Sequence, residues 1–299
     1  MYRLTIGLDW FLNPAHMPLI IGIKKGWFTE EQLEIEMIEP MDQFDSLDKI
    51  KAGEIDLAIT EPVQLVENRA DGVNILGFAR FLHTNGGVMY LNGIGIKRPR
   101  DLIGKRIQYP GAPGLNGLAI VKTMVEQDGA TCSYEDFYPV NNSFYHLDAL
   151  ESGQAEAAAL IFHNIEITEA SYKEFDVDYF ALKDWGIPDF CQLILITTPQ
   201  MLDVHKERLQ KFVKVLRRSI DFIFEHPEEA KAIYLHYVGV DPEDALSHKT
   251  IDATISCFTY DFSMSNEYYS QLQTWVADVG KIKNTVNPDV FWTNQLSLL

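Results

Sequence analysis

The sequence predicts an α/β protein of two lobes. A helix–glycine–strand unit occurs once in each half: I-K-A-G-E-I-D-L-A-I leads into a strand at 55–59, and A-L-E-S-G-Q-A-E-A-A-A-L leads into a second one near 155–160. Strands alternate with helical segments over most of the chain, which is typical of α/β sheets. Extended segments near 91–97 and 192–199 predict two crossovers, as required when one lobe is inserted into the other.

Composition is that of an ordinary globular protein, with 46% apolar and 23% charged residues in a chain of 299. This length suffices for two domains with a full apolar core. The net charge of −18 disfavours nucleic acid and anionic membranes as partners. Three cysteines lie far apart, so neither a disulfide framework nor a metal site is expected. The absence of a run of 18 apolar residues predicts no membrane insertion.

The chain opens with a strand, because apolar and polar residues alternate over 4–8. A loop with Trp10, Asn13 and His16 follows. The apolar run Pro18–Ile23 predicts a helix, since proline is tolerated in a first helical turn, and Gly26 ends it. Aromatic and amide groups therefore lie between a strand end and a helix start, where open α/β sheets bind ligands.

The remaining elements follow from the same signals. In the first lobe we predict strands at 33–38, 55–59 and 73–81, helices at 46–52 and 63–70, a loop at 83–87 and an extended segment at 88–90. In the second lobe we predict strands at 106–109, 137–140 and 177–181 and helices at 118–128, 142–151 and 168–175. A strand at 190–197 precedes helices that run to residue 299. The predicted lobes are 1–90 with 197–299, and 95–190.

Candidate ligand-binding residues are those that follow predicted strands. Trp10 is either a core residue or a plate that stacks on a flat ring. Asn13 either forms the turn before Pro14 or pairs with a heterocycle edge through its amide. His16 either contacts ligand or caps the following helix. Glu61 either accepts a hydrogen bond from a ligand amine or stabilises a helix N-terminus.

Three further candidates come from the same argument. His83 follows the strand at 73–81, and His163 follows the second helix–glycine–strand unit. Gly114 lies in the glycine-rich segment 111–117 between a strand and a helix, where backbone N–H groups can bind a polar ligand edge. The sequence contains no nucleophile elbow and no Cys–His pattern of catalysis, so no catalytic residue is predicted.

The opening resembles that of the thiamine-pyrimidine-precursor (THI5/NMT1-like) binding proteins, of the periplasmic binding protein type II class. The matching residues are Asp9, Trp10, Asn13, His16 and Pro18, then Lys25, Gly26, Trp27 and Phe28, and the terminal F-W-T-N-Q-L is also similar. The resemblance implies two lobes joined by two crossover hinge strands, with a ligand cleft between the lobes. It implies a small aromatic nitrogen heterocycle as ligand, a thiamine pyrimidine precursor of formyl-aminopyrimidine or hydroxymethylpyrimidine type, no cofactor, and delivery to an ABC permease.

The resemblance extends to the return crossover, where the family reads G-(V/I)-P-D-(Y/F)-x-E-L and its aromatic residue and Glu contact the ring. Here the aromatic residue is Phe190, and Gln192 replaces the acid. A neutral amide can still pair with a ring edge, but it cannot hold a cation. The implied ligand contacts are therefore Phe190 and Gln192.

A second resemblance is to the fungal synthase that makes the thiamine pyrimidine from pyridoxal phosphate and its own histidine. The synthase's Lys and His positions hold Thr60 and Gln64 here, and only Cys191 stands where it has a cysteine cluster. Schiff-base chemistry needs the lysine amine, so we expect a binder rather than an enzyme. A cytoplasmic enzyme of thiamine-pyrimidine biosynthesis is the alternative. No leader is visible before Met1, so the expected location is extracytoplasmic if a leader has been removed and cytoplasmic if Met1 is the native start.

Overall fold

The computed structural model describes residues 1–41 and 45–296. Its strands are β1 Tyr2–Gly7, β2 Leu33–Ile38, β3 Leu57–Thr60, β4 Leu76–His83, β5 Gly86–Leu91, β6 Arg106–Gln108, β7 Tyr138–Val140, β8 Ala157–Phe162, β9 Val177–Ala181 and β10 Gln192–Thr197. Its α-helices are α1 Met17–Lys24, α2 Trp27–Glu30, α3 Asp45–Ala52, α4 Pro62–Ala70, α5 Leu115–Gln127, α6 His146–Glu151, α7 Thr168–Tyr172, α8 Pro199–Glu225, α9 Pro227–Val238, α10 Ala245–Ile255 and α11 Asn266–Asp278.

The chain divides into two units, Met1–His83 with Gln192–Leu299, and Thr84–Cys191. The first unit holds a sheet of order β2-β1-β3-β10-β4, and the second holds a sheet of order β7-β6-β8-β5-β9. In the first sheet β1 is parallel to β2 and β3, while β10 is antiparallel to β3 and β4. In the second, β6 is parallel to β7 and β8, while β5 is antiparallel to β8 and β9. The two sheets thus have the same topology.

The helix–glycine–strand unit is present in both sheets. Gly53 ends α3 with φ +71° and Gly153 ends α6 with φ +70°, a left-handed conformation that glycine adopts at little cost. Three residues after each glycine, an acid binds the backbone of the neighbouring parallel strand. The Thr5 N–H donates to Asp56 Oδ2 at 2.9 Å, and the Arg106 N–H donates to Glu156 Oε2 at 2.8 Å. The repeat therefore fixes how each strand enters its sheet.

Each unit has its own apolar core. In the first, the alternation over residues 4–8 buries Leu4, Ile6 and Leu8 completely, and Phe28 stacks on Phe212 of α8 with ring centroids 5.5 Å apart. In the second, Met89 of β5 packs with Leu147 and Leu150 of α6 and with Ala158 and Ile161 of β8. Burial of these side chains supplies the main stabilisation of each unit.

Several predicted boundaries differ from the structure. The segment predicted as a loop at 83–87 contains the start of β5. This strand pairs with β8 and β9, so residues 86–91 belong to the second sheet, whereas the predicted first lobe extended to residue 90. Gly87 has to be a glycine in this strand, because a Cβ there would lie 1.9 Å from the carbonyl oxygen of Phe180. Helix α6 begins at His146, later than the predicted 142. The last three residues of the predicted C-terminal helical region, 297–299, lie outside the described residues.

Candidate ligand-binding site

The loop after β1 is held by Asn13, which caps the short 3-10 turn Pro14–His16. The Ala15 N–H donates to Asn13 Oδ1 at 2.9 Å, and Asn13 Nδ2 donates to the carbonyl of Phe11 at 2.9 Å. Both ends of the amide are thus used within the loop. Asn13 therefore shapes this loop, and its role as a ligand contact stays a prediction.

His16 is fully buried and connects the loop to Asp9. The Asn13 N–H donates to His16 Nδ1 at 3.1 Å, so Nδ1 is the acceptor of the imidazole. In the neutral tautomer the proton then lies on Nε2, which is 2.9 Å from Asp9 Oδ1 and donates to it. His16 therefore closes the 3-10 turn and orients a carboxylate, while its side chain makes no capping hydrogen bond to the following helix α1, and its role as a ligand contact stays a prediction.

Asp9 is the functional candidate that the sequence argument did not select as a ligand-binding residue. It follows β1, and its side chain keeps 17% of its surface exposed. His16 occupies Oδ1, and no residue of the described part of the chain donates to Oδ2. The only signal in the sequence was its place at a strand end in the opening motif. A carboxylate fixed on one side and open on the other can accept a hydrogen bond from a ligand.

Trp10 is half-buried beside Asp9, with its ring centroid 6.3 Å from that of Phe11 at an interplanar angle of 42°. Phe11 is 47% exposed. Large aromatic side chains carry much of the contact area in small-molecule sites. The partial exposure of Trp10 is compatible with stacking on a flat ring and differs from the complete burial of the core aromatics.

Glu61 follows β3 and is the N-cap residue of α4, with φ −92° and ψ 151°. Its side chain makes no capping hydrogen bond, and among residues 1–41 and 45–296 it has neither a hydrogen-bond nor an ion-pair partner. Burial and, as the next largest cause, the nearby charge of Asp9 raise its pKa to about 8. Lys281 opposes the rise, but its ammonium is paired with Glu67. Glu61 is therefore a neutral carboxylic acid at pH 7.

Thr60 is the last residue of β3, and Gln64 lies in the first turn of α4. Thr60 is buried, and its hydroxyl donates to Gln64 Oε1 at 2.6 Å. These are the positions that the synthase resemblance gives to Lys and His. Both side chains are neutral and bonded to each other, and neither offers an amine for a Schiff base.

His83 and Gln192 are neighbours on antiparallel strands of the first unit, since they are register partners in β4 and β10. His83 is exposed at the end of β4, and its backbone N–H donates to the carbonyl of Cys257 at 2.8 Å. Gln192 is buried, and its Nε2 donates to the hydroxyl of Tyr268 at 3.4 Å. The structure thus makes these two predicted residues register partners and buries the Gln192 side chain.

The other three predicted residues belong to the second unit. Gly114 is the N-cap of α5, and its carbonyl accepts the Tyr109 hydroxyl at 2.7 Å. Gly117 lies inside α5, where a Cβ would be 2.3 Å from the Tyr109 ring. Close packing against this buried tyrosine therefore accounts for Gly117, whereas the role of Gly114 as a ligand contact stays a prediction.

His163 and Phe190 differ in exposure within the second unit. His163 is exposed after β8, its ring centroid lies 5.5 Å from that of Tyr179, and partial burial lowers its pKa. Phe190 is only 1% exposed, so its ring is enclosed by the protein in this structure. The role of Phe190 as a ligand contact stays a prediction.

No metal or membrane element is found in the described part of the chain. Residues 1–41 and 45–296 contain no group of three or more His, Cys, Asp or Glu side chains arranged to hold a metal ion. The helices of these residues are all too short or too polar to cross a membrane.

Comparison with solved structures gives the class of the fold, which is that of the periplasmic binding proteins. The chain superposes on the alkanesulfonate-binding protein SsuA from Xanthomonas axonopodis pv. citri, bound to MOPS, with a TM-score of 0.75 over 98% of both chains. The identity in this comparison is 14%, so the similarity concerns the fold alone. The mixed α/β fold class predicted from the sequence is confirmed.

The chain belongs to the NMT1/THI5-like family, which it matches over residues 13–230. It is 28% identical over 229 residues to the formylaminopyrimidine-binding protein of Halalkalibacterium halodurans, covering 76% of this chain and 68% of that protein. It is also 25% identical to the 4-amino-5-hydroxymethyl-2-methylpyrimidine phosphate synthase THI13 of Saccharomyces cerevisiae, covering 96% of this chain and 85% of the synthase. The family resemblance is confirmed, and relatives of both kinds, binding protein and synthase, are similar to this chain.

Proposed function

We propose that this protein is a solute-binding protein for a small aromatic nitrogen heterocycle, specifically a thiamine pyrimidine precursor. The observation that carries the proposal is the edge of the first sheet, where half-buried Trp10 lies beside the fixed carboxylate of Asp9 and near Glu61, whose side chain has no partner within residues 1–41 and 45–296. An aromatic face with a few polar groups beside it is typical of a site for a flat heterocycle. The similarity to a named formylaminopyrimidine-binding protein supports the same ligand class.

The charges at this edge disfavour an anionic ligand such as a sulfonate. Neither Asp9 nor Glu61 supplies a positive charge, and Lys281, the base that acts on Glu61, is already paired with Glu67. The whole chain carries a net charge of −18, which adds to the repulsion of anions. A neutral heterocycle with an exocyclic amine suits these groups better, since carboxyl oxygens accept from amines.

Delivery of the ligand to an ABC permease, from an extracytoplasmic location, is the physiological role that we infer for such a binder. The periplasmic-binding-protein fold supports this inference. Neither a cofactor nor nucleic acid enters the proposed role.

Isothermal titration calorimetry and thermal melting of the full chain test the binding proposal. The probes are formyl-aminomethyl-methylpyrimidine and hydroxymethyl-aminopyrimidine, with MOPS as the matched anionic control. We expect heat and a rise in Tm with the pyrimidines and neither with MOPS. Absence of both signals with the pyrimidines at millimolar concentration contradicts the proposal, as does preferential binding of MOPS.

A pyrimidine-synthesising enzyme is the second candidate, favoured by the 96% coverage of this chain in the alignment with the yeast synthase. Against it stands the Thr60–Gln64 hydrogen bond at the Lys and His positions of the synthase. Absorbance spectra of the protein with pyridoxal phosphate separate the two functions. The binder predicts no aldimine band and no reduction of the adduct by borohydride, whereas a lysine-linked adduct would favour the enzyme.

A further inference from the structure

Asp9 and Glu61 lie at the same edge of one sheet. Strands β1 and β3 are parallel neighbours in which Gly7 is the register partner of Ala58. Asp9 follows Gly7 by two residues and Glu61 follows Ala58 by three, so both side chains extend from the carboxyl ends of adjacent strands. Ligands of open α/β sheets bind at this edge.

The two carboxyl groups differ in their hydrogen-bonding roles. Asp9 is oriented by the buried imidazole of His16, which donates to Oδ1 and leaves Oδ2 as an open acceptor. Glu61 is not used as a helix cap and has no partner among the described residues. A carboxylic acid that is neutral can donate one hydrogen bond through its O–H.

We propose that Asp9 accepts a hydrogen bond from the exocyclic amine of an aminopyrimidine, while the carboxylic acid of Glu61 donates one to the adjacent ring nitrogen. This inference rests on the proposed function and names the edge that the site recognises. A 4-aminopyrimidine presents an N–H donor beside a ring-nitrogen acceptor. A 4-oxopyrimidine presents the reverse pattern, a carbonyl acceptor beside a ring N–H donor, and is disfavoured by the Asp9–Glu61 pair.

The charged groups around Glu61 come from three elements. Asp9 follows β1, Glu67 lies on α4, and Lys281 lies after α11. Asp9 and Glu67 disfavour ionisation of Glu61, and Lys281 favours it only in part because it pairs with Glu67. Above a pH of about 8 Glu61 ionises, loses its donor and adds a second negative charge beside Asp9. Affinity for the aminopyrimidine should therefore fall from pH 7 to pH 9.5.

Three variants separate the roles of the two groups. Glu61→Gln keeps a donor that does not titrate, so we expect affinity close to wild type at pH 7 and no decline toward pH 9.5. Glu61→Ala removes the donor and should weaken binding about tenfold at pH 7. In Asp9→Asn, His16 Nε2–H holds the amide oxygen and turns the amide N–H toward the ligand. The preference should then move from the 4-amino to the 4-oxo pyrimidine.

The experiment is calorimetry at pH 7 and 9.5 with hydroxymethyl-aminopyrimidine and its 4-oxo counterpart. Glu54→Gln, at an exposed acid in the loop before β3, is the matched control and should behave as wild type. Equal loss in Glu61→Gln and Glu61→Ala at pH 7 overturns the inference, as does an unchanged amino-over-oxo preference in Asp9→Asn. If these variants bind as wild type while Trp10→Ala loses affinity, the proposed function stands and the Asp9–Glu61 inference fails. If the wild-type protein binds neither pyrimidine, both are overturned.

Discussion

The hydroxyl of Thr60 donates a 2.6 Å hydrogen bond to Oε1 of Gln64, in the first turn of α4. Because Thr60 is buried, its hydroxyl makes this hydrogen bond in place of hydrogen bonds to water. The two residues occupy the positions at which the synthase resemblance implies a Schiff-base lysine and a histidine donor. At this edge of the sheet, two neutral side chains bonded to each other thus stand where the synthase resemblance implies a lysine and a histidine.

Breaking the Thr60–Gln64 bond should lower stability. We expect Thr60→Val to reduce the free energy of unfolding by roughly 1–2 kcal/mol, because the Gln64 oxygen loses its donor. The double variant Thr60→Val/Gln64→Leu should recover part of this loss, since both polar partners are then removed. Urea denaturation followed by circular dichroism measures both values. Equal stability of wild type and Thr60→Val would show that the bond contributes nothing.

Glu166 predicts a loss of stability at rising pH. It is buried in the helical turn after β8, where it accepts the Phe162 N–H at 2.8 Å, and burial raises its pKa from 4.5 to about 8. In the unfolded chain the same carboxyl ionises near 4.5. Its stabilising contribution is therefore complete below about pH 4.5 and is lost as the pH rises to about 8, by up to about 1.4 kcal/mol per pH unit.

Glu166→Gln tests this dependence, because glutamine can still accept from Phe162 and does not titrate. We expect the variant to lose less unfolding free energy than wild type between pH 5 and pH 8, as measured by urea titration at each pH. Glu61 acts in the same direction, so Glu61→Gln/Glu166→Gln should show the flattest profile. A wild-type slope retained in the double variant would contradict the assignment.

His146 predicts the opposite dependence at acidic pH. It is buried at the start of α6, Nδ1–H donates to Gln108 Oε1 at 2.5 Å, and burial lowers its pKa from 6.5 to about 3. In the unfolded chain the imidazole binds a proton with a pKa near 6.5, whereas in the folded protein it stays neutral until the pH is much lower. The stabilising effect is thus present above pH 6.5 and declines as the pH falls toward 3.

Unfolding experiments between pH 7 and pH 4 check the His146 prediction. We expect His146→Gln to show a smaller loss of stability over this range than wild type, although it starts from a lower value because the packing is altered. His236→Gln, at an exposed position on α9, should keep the wild-type slope. Identical slopes in all three proteins would exclude His146 as the source.

Local signals were sufficient to predict most of the first unit's opening. Alternating apolar residues identify β1, the first-turn Pro18 identifies the start of α1, and Gly26, at φ +74°, lies just beyond its end. The first two residues of β5, Gly86 and Gly87, were predicted as part of a loop because two glycines suggest a turn. A Cβ would meet the Cys191 side chain and the Ile161 carbonyl at Gly86, and the Phe180 carbonyl at Gly87, so both glycines are required by contacts with residues distant in sequence.

The candidate site shows the same limit. The position of Trp10 at a strand end was predictable, and so was a polar loop after it. The role of Asp9 depends on the tautomer of buried His16, which the Asn13 N–H sets within the folded loop. The raised pKa of Glu61 depends first on burial of its carboxyl in the folded protein and then on the charge of Asp9, which lies far earlier in the chain. Neither dependence leaves a local pattern in the sequence.

Trp10 and Phe190 are the two aromatic residues predicted to contact the ligand, and their different burial separates the expected effects of truncating them. Trp10 is half-buried, so Trp10→Ala should weaken pyrimidine binding by roughly 1.5–3 kcal/mol and change the Tm little. Phe190 is 1% exposed, so Phe190→Ala should lower the free energy of unfolding by about 3–5 kcal/mol. Calorimetry and thermal melting on both variants, with Trp10→Phe as the conservative control, measure the two effects. A large fall in Tm for Trp10→Ala with unchanged pyrimidine affinity would make Trp10 a core residue and remove the aromatic wall on which the proposed ligand class depends.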